Sequence, residues 1–312
     1  MFLGRKQWPS VIDLSKQPAD MVISAEQPLP QPNFYRQILL HDLNNDGFDD
    51  IIVGAWGKSY GMFSYDQEGP WDTGWIVTGR AKLPSELRLG LIVGSPSNHG
   101  GQERNSPNVL EMAPSEGEVF FGAGMVIGDV TGDGIKDLIL NVFKKNDRDK
   151  EIRRPCLLAG REDFFAIQIG NLFDRCQFIS GDSGLDTDNP YSTKPLFIGD
   201  FNGDRRDDVF LRLADPEFVI KGLLGRPFTD PRISFASNET VSILPSKSKN
   251  LTYPIFTQMI LGDINGDQCD DLLMVEPLGG KEEKGQIGPG AVHVVFGREL
   301  VTKKISETNI SK

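Results

Sequence analysis

The 312-residue chain is 38% hydrophobic and carries 34 Gly and 20 Pro, which suits a large, turn-rich globular core and excludes a disordered polar chain. Its formal net charge of −11 argues against nucleic acid as a partner, and no run of 18 apolar residues marks a membrane span. No secretory leader opens the sequence, which leaves a trimmed signal, another export route or a piece of a longer protein as readings.

In chain order, Phe2-Leu3-Gly4-Arg5 is the first of five short apolar strands that end in Gly-Arg. The others close at Gly79-Arg80, Gly160-Arg161, Gly225-Arg226 and Gly297-Arg298. After it, Val11-Ile12-Asp13-Leu14 reads as a strand, and so does Gln37-Ile38-Leu39-Leu40. Next comes a nine-residue loop, Asp42 to Asp50, with Asp at positions 1, 5 and 9 and Asn44 at position 3. Ile51-Ile52-Val53 follows as another buried strand. The same order returns around Asp129 to Asp137, Asp200 to Asp208 and Asp263 to Asp271. From each Gly-Arg glycine to the next loop the interval is 38, 50, 40 and 38 residues, so the chain is one array of about four units.

The stretch Gly100 to Gly117 reads as a surface excursion, and Ala166-Ile167-Gln168-Ile169 as a further strand. Cys156 and Cys176 flank what looks like two adjacent strands; a disulfide is one reading, two unpaired buried thiols the preferred one. Asp182, Asp186 and Asp188 read as a solvated acidic loop. No convincing helical period occurs. The expectation is an all-β fold: a β-propeller of four-stranded antiparallel blades in a single domain, 1–312, with units at roughly 4–79, 79–160, 160–225 and 225–298.

Position 12 decides what kind of cation loop this is. An EF-hand places a bidentate Glu there between two helices, whereas here it is Val53, Leu140, Leu211 and Met274, all inside predicted strands. The loop is therefore a β-hairpin turn. Its oxygen donors are Asp42, Asn44, Asp46, the Phe48 carbonyl and Asp50 in the first copy. In the second they are Asp129, Thr131, Asp133, the Ile135 carbonyl and Asp137. The third offers Asp200, Asn202, Asp204, the Arg206 carbonyl and Asp208, and the fourth Asp263, Asn265, Asp267, the Cys269 carbonyl and Asp271. Such a hard, all-oxygen set suits Ca²⁺, up to four ions, better than the stricter octahedron of Mg²⁺. Gly47 and Gly134 hold position 6, where a sharp turn favours positive φ; Arg205 and Gln268 replace them, so weaker binding is expected at the Asp200 and Asp263 loops.

Phe121 to Ile139, with its Gly122-Ala123-Gly124 start and Asp129-Val130-Thr131-Gly132-Asp133-Gly134 loop, resembles the FG-GAP repeat. Val53-Gly54-Ala55 and Val93-Gly94-Ser95-Pro96 are similar to its second half, and Gly290 to Gly297 to its third strand. That resemblance implies the calcium-binding propeller found at the N-terminus of integrin α chains and in bacterial surface proteins. With only three His and no nucleophile elbow, HExxH or P-loop, no catalytic constellation is visible. The expectation is a non-catalytic, extracellular or cell-surface recognition module for protein or carbohydrate ligands. The alternative is an accessory propeller of a secreted hydrolase or polysaccharide lyase.

Overall fold

A computed structural model describes residues 6–7, 10–16, 18–25, 37–55, 73–89, 109–112, 118–145, 151–165, 177–180, 194–212, 220–225, 233–234, 240–243, 258–276 and 290–298. Every regular element among them is a strand. The chain runs through β1 (Val22–Ala25), β2 (Gln37–His41), β3 (Asp50–Ala55), β4 (Thr73–Val77), β5 (Glu86–Leu89) and β6 (Val109–Met112). It continues through β7 (Glu118–Gly128), β8 (Asp137–Lys145), β9 (Glu151–Leu158), β10 (Gln177–Ser180), β11 (Lys194–Gly199) and β12 (Asp208–Arg212). The last six are β13 (Ile220–Leu223), β14 (Ile233–Ser234), β15 (Thr240–Ile243), β16 (Gln258–Gly262), β17 (Asp271–Glu276) and β18 (Ala291–Val295).

Four small sheets follow the four loops. Their strand orders are β2-β3-β4-β6, β7-β8-β9-β10, β11-β12-β13-β15 and β16-β17-β18, with antiparallel neighbours throughout. Short parallel pairs, β10 with β14 and β1 with β5, complete the set. In the first three sheets the outermost strand comes from beyond the Gly-Arg marker. Intervals cut at the marker glycines are thus one strand out of phase with the sheets.

The period of two in a strand sends neighbouring residues to opposite faces, and here that alternation joins sheet to sheet. Position 11 after each loop's first Asp faces the following sheet, while positions 10 and 12 face the preceding one. Ile52 packs with Leu138 and Leu140, Ile139 with Val209 and Leu211, and Phe210 with Leu272 and Met274. The far face of the first sheet, at Ile51, Val53, Trp75 and Val77, is covered by Met21 and Leu89 from the β1 and β5 segments. Among the described residues, Ile38 and Leu40 of the first sheet and Ile260 of the last are exposed.

Three sequence expectations change. Val11 to Leu14 is not a strand: Asp13 turns back to accept hydrogen bonds from Ser15 N and Oγ, and Val11 and Leu14 are exposed. A local side-chain turn holds the backbone there, and no strand among the described residues pairs with it. Part of the expected Gly100 to Gly117 excursion is β6, paired with β4 and burying Met112 and Leu110 in the core. Finally, Cys156 is disulfide-bonded while Cys269 is free, so with three cysteines the preferred unpaired reading fails. The strand at Ala166 to Ile169, the first marker at Gly4, the acidic residues Asp182, Asp186 and Asp188, and Val93 to Pro96 lie outside the described residues.

Candidate metal centre

Each loop is a hairpin turn between two strands of one sheet, and each aspartate in it has a different task. The position 1 carboxylate closes the turn. Asp42 accepts from Asp46 N (3.1 Å) and Gly47 N (2.8 Å), and Asp200 from Asp204 N (3.0 Å) and Arg205 N (2.7 Å). Asp129 and Asp263 each take three such N–H groups, from positions 4, 5 and 6. The position 5 carboxylate accepts the N–H of position 7 at 2.9 Å in all four copies, at Asp46, Asp133, Asp204 and Asp267. Its other oxygen accepts the position 3 amide from Asn44, Asn202 or Asn265. In the second copy Thr131 Oγ1 donates instead to Asp129, at 3.5 Å.

Position 9 behaves unlike the rest. Asp50, Asp137, Asp208 and Asp271 are fully buried. One oxygen of each accepts a backbone N–H inside its own loop, from Leu43, Val130 and Thr131, Phe201 or Ile264. The other accepts the N–H of the marker glycine, Gly79, Gly160, Gly225 or Gly297, at 2.8 to 3.0 Å. That contact explains why Gly-Arg recurs with the loop. A Cβ on Gly79 or Gly160 would run into the position 8 carbonyl of the same unit, Asp49 O or Lys136 O. Burial pushes the carboxyls of Asp50, Asp137 and Asp208 up to about 6, 7 and 8, against the opposing pull of those N–H groups.

Backbone conformation matches the residue types at position 6: Gly47 and Gly134 have φ of 87° and 90°. Arg205 and Gln268 adopt 67° and 72° there, a left-handed conformation that strains a residue with a Cβ. Position 4 is left-handed as well, at Asn45, Gly132, Gly203 and Gly266, a requirement that the Asp pattern alone does not announce.

Position 8 couples one loop to the one before it. Asp207 Oδ2 accepts Asp129 N at 2.6 Å while Asp207 N donates to Asp129 O at 2.8 Å. Asp270 repeats this on Asp200, with distances of 2.9 and 2.7 Å. The residue before position 1 must be small to admit the carboxylate. A Cβ on Gly128 would stand 2.6 Å from Asp207 Oδ2, and one on Gly199 would overlap Asp270 Oδ2. Gly199→Ala is therefore expected to lose roughly 1–3 kcal/mol of stability in denaturant titrations, whereas Gly262→Ala, with no atom within 4 Å of its Cβ, should be near neutral. Equal effects would refute the clamp. Lys136 holds position 8 in the second loop, and instead of reaching back to the first it pairs with Asp207 at 3.1 Å.

Among the described residues, no group of three or more His, Cys, Asp or Glu side chains is arranged to hold a metal ion. Among the four loops, one side-chain oxygen nevertheless lacks a partner: Asn44 Oδ1, at position 3 of the first loop, is buried with no hydrogen bond. Its counterparts Asn202 Oδ1 and Asn265 Oδ1 accept the N–H of Asp204 and Asp267. No helix among the described residues is long and apolar enough to cross a membrane. No protein-family model matches the chain, and no curated protein matches its sequence.

Proposed function

We propose that the four sheets are blades of a β-propeller whose inter-strand loops bind Ca²⁺, and that the protein is a non-catalytic recognition module for a protein or carbohydrate ligand at a surface outside the cell. The observation that carries the cation reading is Asn44 Oδ1, a buried and unpartnered oxygen at the position where a ligand is expected. A buried acceptor left unpaired costs about 1–3 kcal/mol, and a cation beside Asp42 and Asp46 would satisfy it. The residues present fit the ion: carboxylates at positions 1 and 5, an amide or hydroxyl oxygen at position 3, and a second lone pair on the position 9 oxygen that accepts the marker glycine's N–H. When bound, Ca²⁺ would supply the positive charge that three neighbouring carboxylates in each loop call for. A disulfide at Cys156 accords with an oxidising compartment.

Calorimetric titration of the chelated protein with Ca²⁺ is expected to show saturable binding, with the Asp42 and Asp129 loops tighter than the strained Asp200 and Asp263 loops. Asn44→Ala should weaken one site and leave the others. Absence of binding heat, together with silent terbium luminescence, would remove calcium from the reading. An array of glycans and matrix proteins, probed with calcium and again with chelator, tests the recognition half.

A further inference from the structure

The three junctions between successive sheets are built to one pattern, and the two ends of the series each carry half of it. Consider first what the preceding unit offers. Its position 2 side chain is buried in the joint: Leu43, Val130 and Phe201 are 0–2% exposed. Its position 4 receives the position 7 side chain of the next loop in two junctions. A Cβ on Gly132 would overlap the Arg206 side chain, and one on Gly203 would stand 2.6 Å from Cys269 Sγ. Three residues before position 1, Leu39, Val126 and Phe197 face the following sheet.

The following unit supplies the complement. It sends its position 8 carboxylate onto the earlier loop's position 1 backbone, at Asp207 and Asp270. The marker arginine's N–H donates to the earlier position 2 carbonyl, Arg161 to Leu43 O at 3.0 Å and Arg298 to Phe201 O at 3.1 Å. Two residues before position 1, Ile127, Ile198 and Leu261 face back into the joint.

In the fourth unit every receiving feature is present and empty. Ile264, at position 2, is 56% exposed, and Ile260 is 61% exposed. Gly262 and Gly266 keep the small residues of the slot with no atom within 4 Å of a Cβ. In the first unit the inserting side chains of β2 and its loop are exposed, while Ile51 and Val53 beside them are covered by Met21 and Leu89. Leu40 and Ile38 are 49% and 57% exposed, and Phe48 at position 7 is 43% exposed. Asp49 holds position 8 as an exposed carboxylate.

We propose that these two faces are the halves of one intermolecular joint, through which the first unit of a second copy of this chain docks on the fourth unit. The occupant is a second copy because one molecule exposes both halves at once, and because Ile38, Leu40, Phe48 and Asp49 stand at the positions that fill the same receiving places in the internal junctions. Asp49 would take the Asp263 N–H beside Gly262, Phe48 would fill the space above Gly266, and Ile38 and Leu40 would cover Ile260 and Ile264. Such a head-to-tail contact is heterologous, so it makes a ring if the rotation closes and a filament if it does not.

Sedimentation velocity of the full chain over a wide concentration range tests this, together with a disulfide trap. The expected result is a mass above that of the monomer that rises with concentration, and loss of that association in Ile260→Asp with an unchanged melting temperature. In a Cys269→Ser background, Phe48→Cys with Gly266→Cys should form cross-linked dimers or larger species on a non-reducing gel. A monomeric protein with no cross-link overturns the joint. A cross-link confined to the monomer band also overturns the proposal, since it would mean that the chain closes on itself.

Discussion

Phe210→Ala should cost about 3–5 kcal/mol, the range for truncating a fully buried aromatic. Phe210 is at position 11 of the third unit and has no exposed surface. Its ring stacks on Phe197 with centroids 4.8 Å apart and meets Phe201 edge-on at 5.5 Å. It also packs with Leu272 and Met274 of the fourth sheet. On the neighbouring strand Gly222 is small because a Cβ there would stand 2.6 Å from the Phe210 ring. The cavity would therefore open between two sheets rather than inside one, and the loss should reach both. Chemical denaturation should show a reduced midpoint, and limited proteolysis should release the fourth sheet earlier than the others. A loss below about 1 kcal/mol would mean that the third and fourth sheets are not joined as described.

The second large effect is an inversion of the pH profile by calcium. In chelator, Asp50, Asp137 and Asp208 titrate at about 6, 7 and 8 in the folded protein because burial disfavours their charged forms. Unfolded, they titrate near the ordinary aspartate value of about 3.9. Between these limits the folded chain holds more protons than the unfolded one, so stability is greatest at acid pH and falls as pH rises from about 4 to about 8. Each of the three carboxyls held protonated by burial adds to that loss, so the fall in stability with pH in chelator should be steep. Saturating calcium should stabilise the ionised carboxylates and abolish or reverse that slope, so that acid becomes the destabilising direction. Thermal melts at pH 5 and pH 8, with calcium and with chelator, give the four numbers needed. Parallel pH profiles in the two conditions would contradict a cation held at these loops.

Much of the all-β character was legible because it is written locally. The aliphatic runs beside each loop, Ile51 to Val53 and Leu138 to Leu140 among them, are strands as expected, with position 12 buried in each. What failed was what depends on a distant partner. β6 sits in a stretch of Gly, Pro, Ser and Asn, and is a strand because β4 offers it an edge and the core accepts Leu110 and Met112. Val11 to Leu14 has the right residue types and pairs with no strand among the described residues. At the loops, the Asp spacing located every candidate oxygen but could not divide their tasks. Position 9 holds a glycine 17 to 29 residues further on, and position 8 holds a different loop some 70 residues back. A usable signal was present in the pairing of a small residue before one loop with Asp at position 8 of the next. Gly128 with Asp207 and Gly199 with Asp270 follow it, while His41 with Lys136 departs from it together.

The position 9 contact also fixes where the chain tolerates change in length. It pins the marker glycine to the loop across a sequence separation that ranges from 17 at Asp208 to 29 at Asp50. Doubling a flexible connection adds only about 0.6 kcal/mol of closure entropy, so what this contact demands of the first unit is the paired strands β3 and β4 and not a fixed length of chain between them.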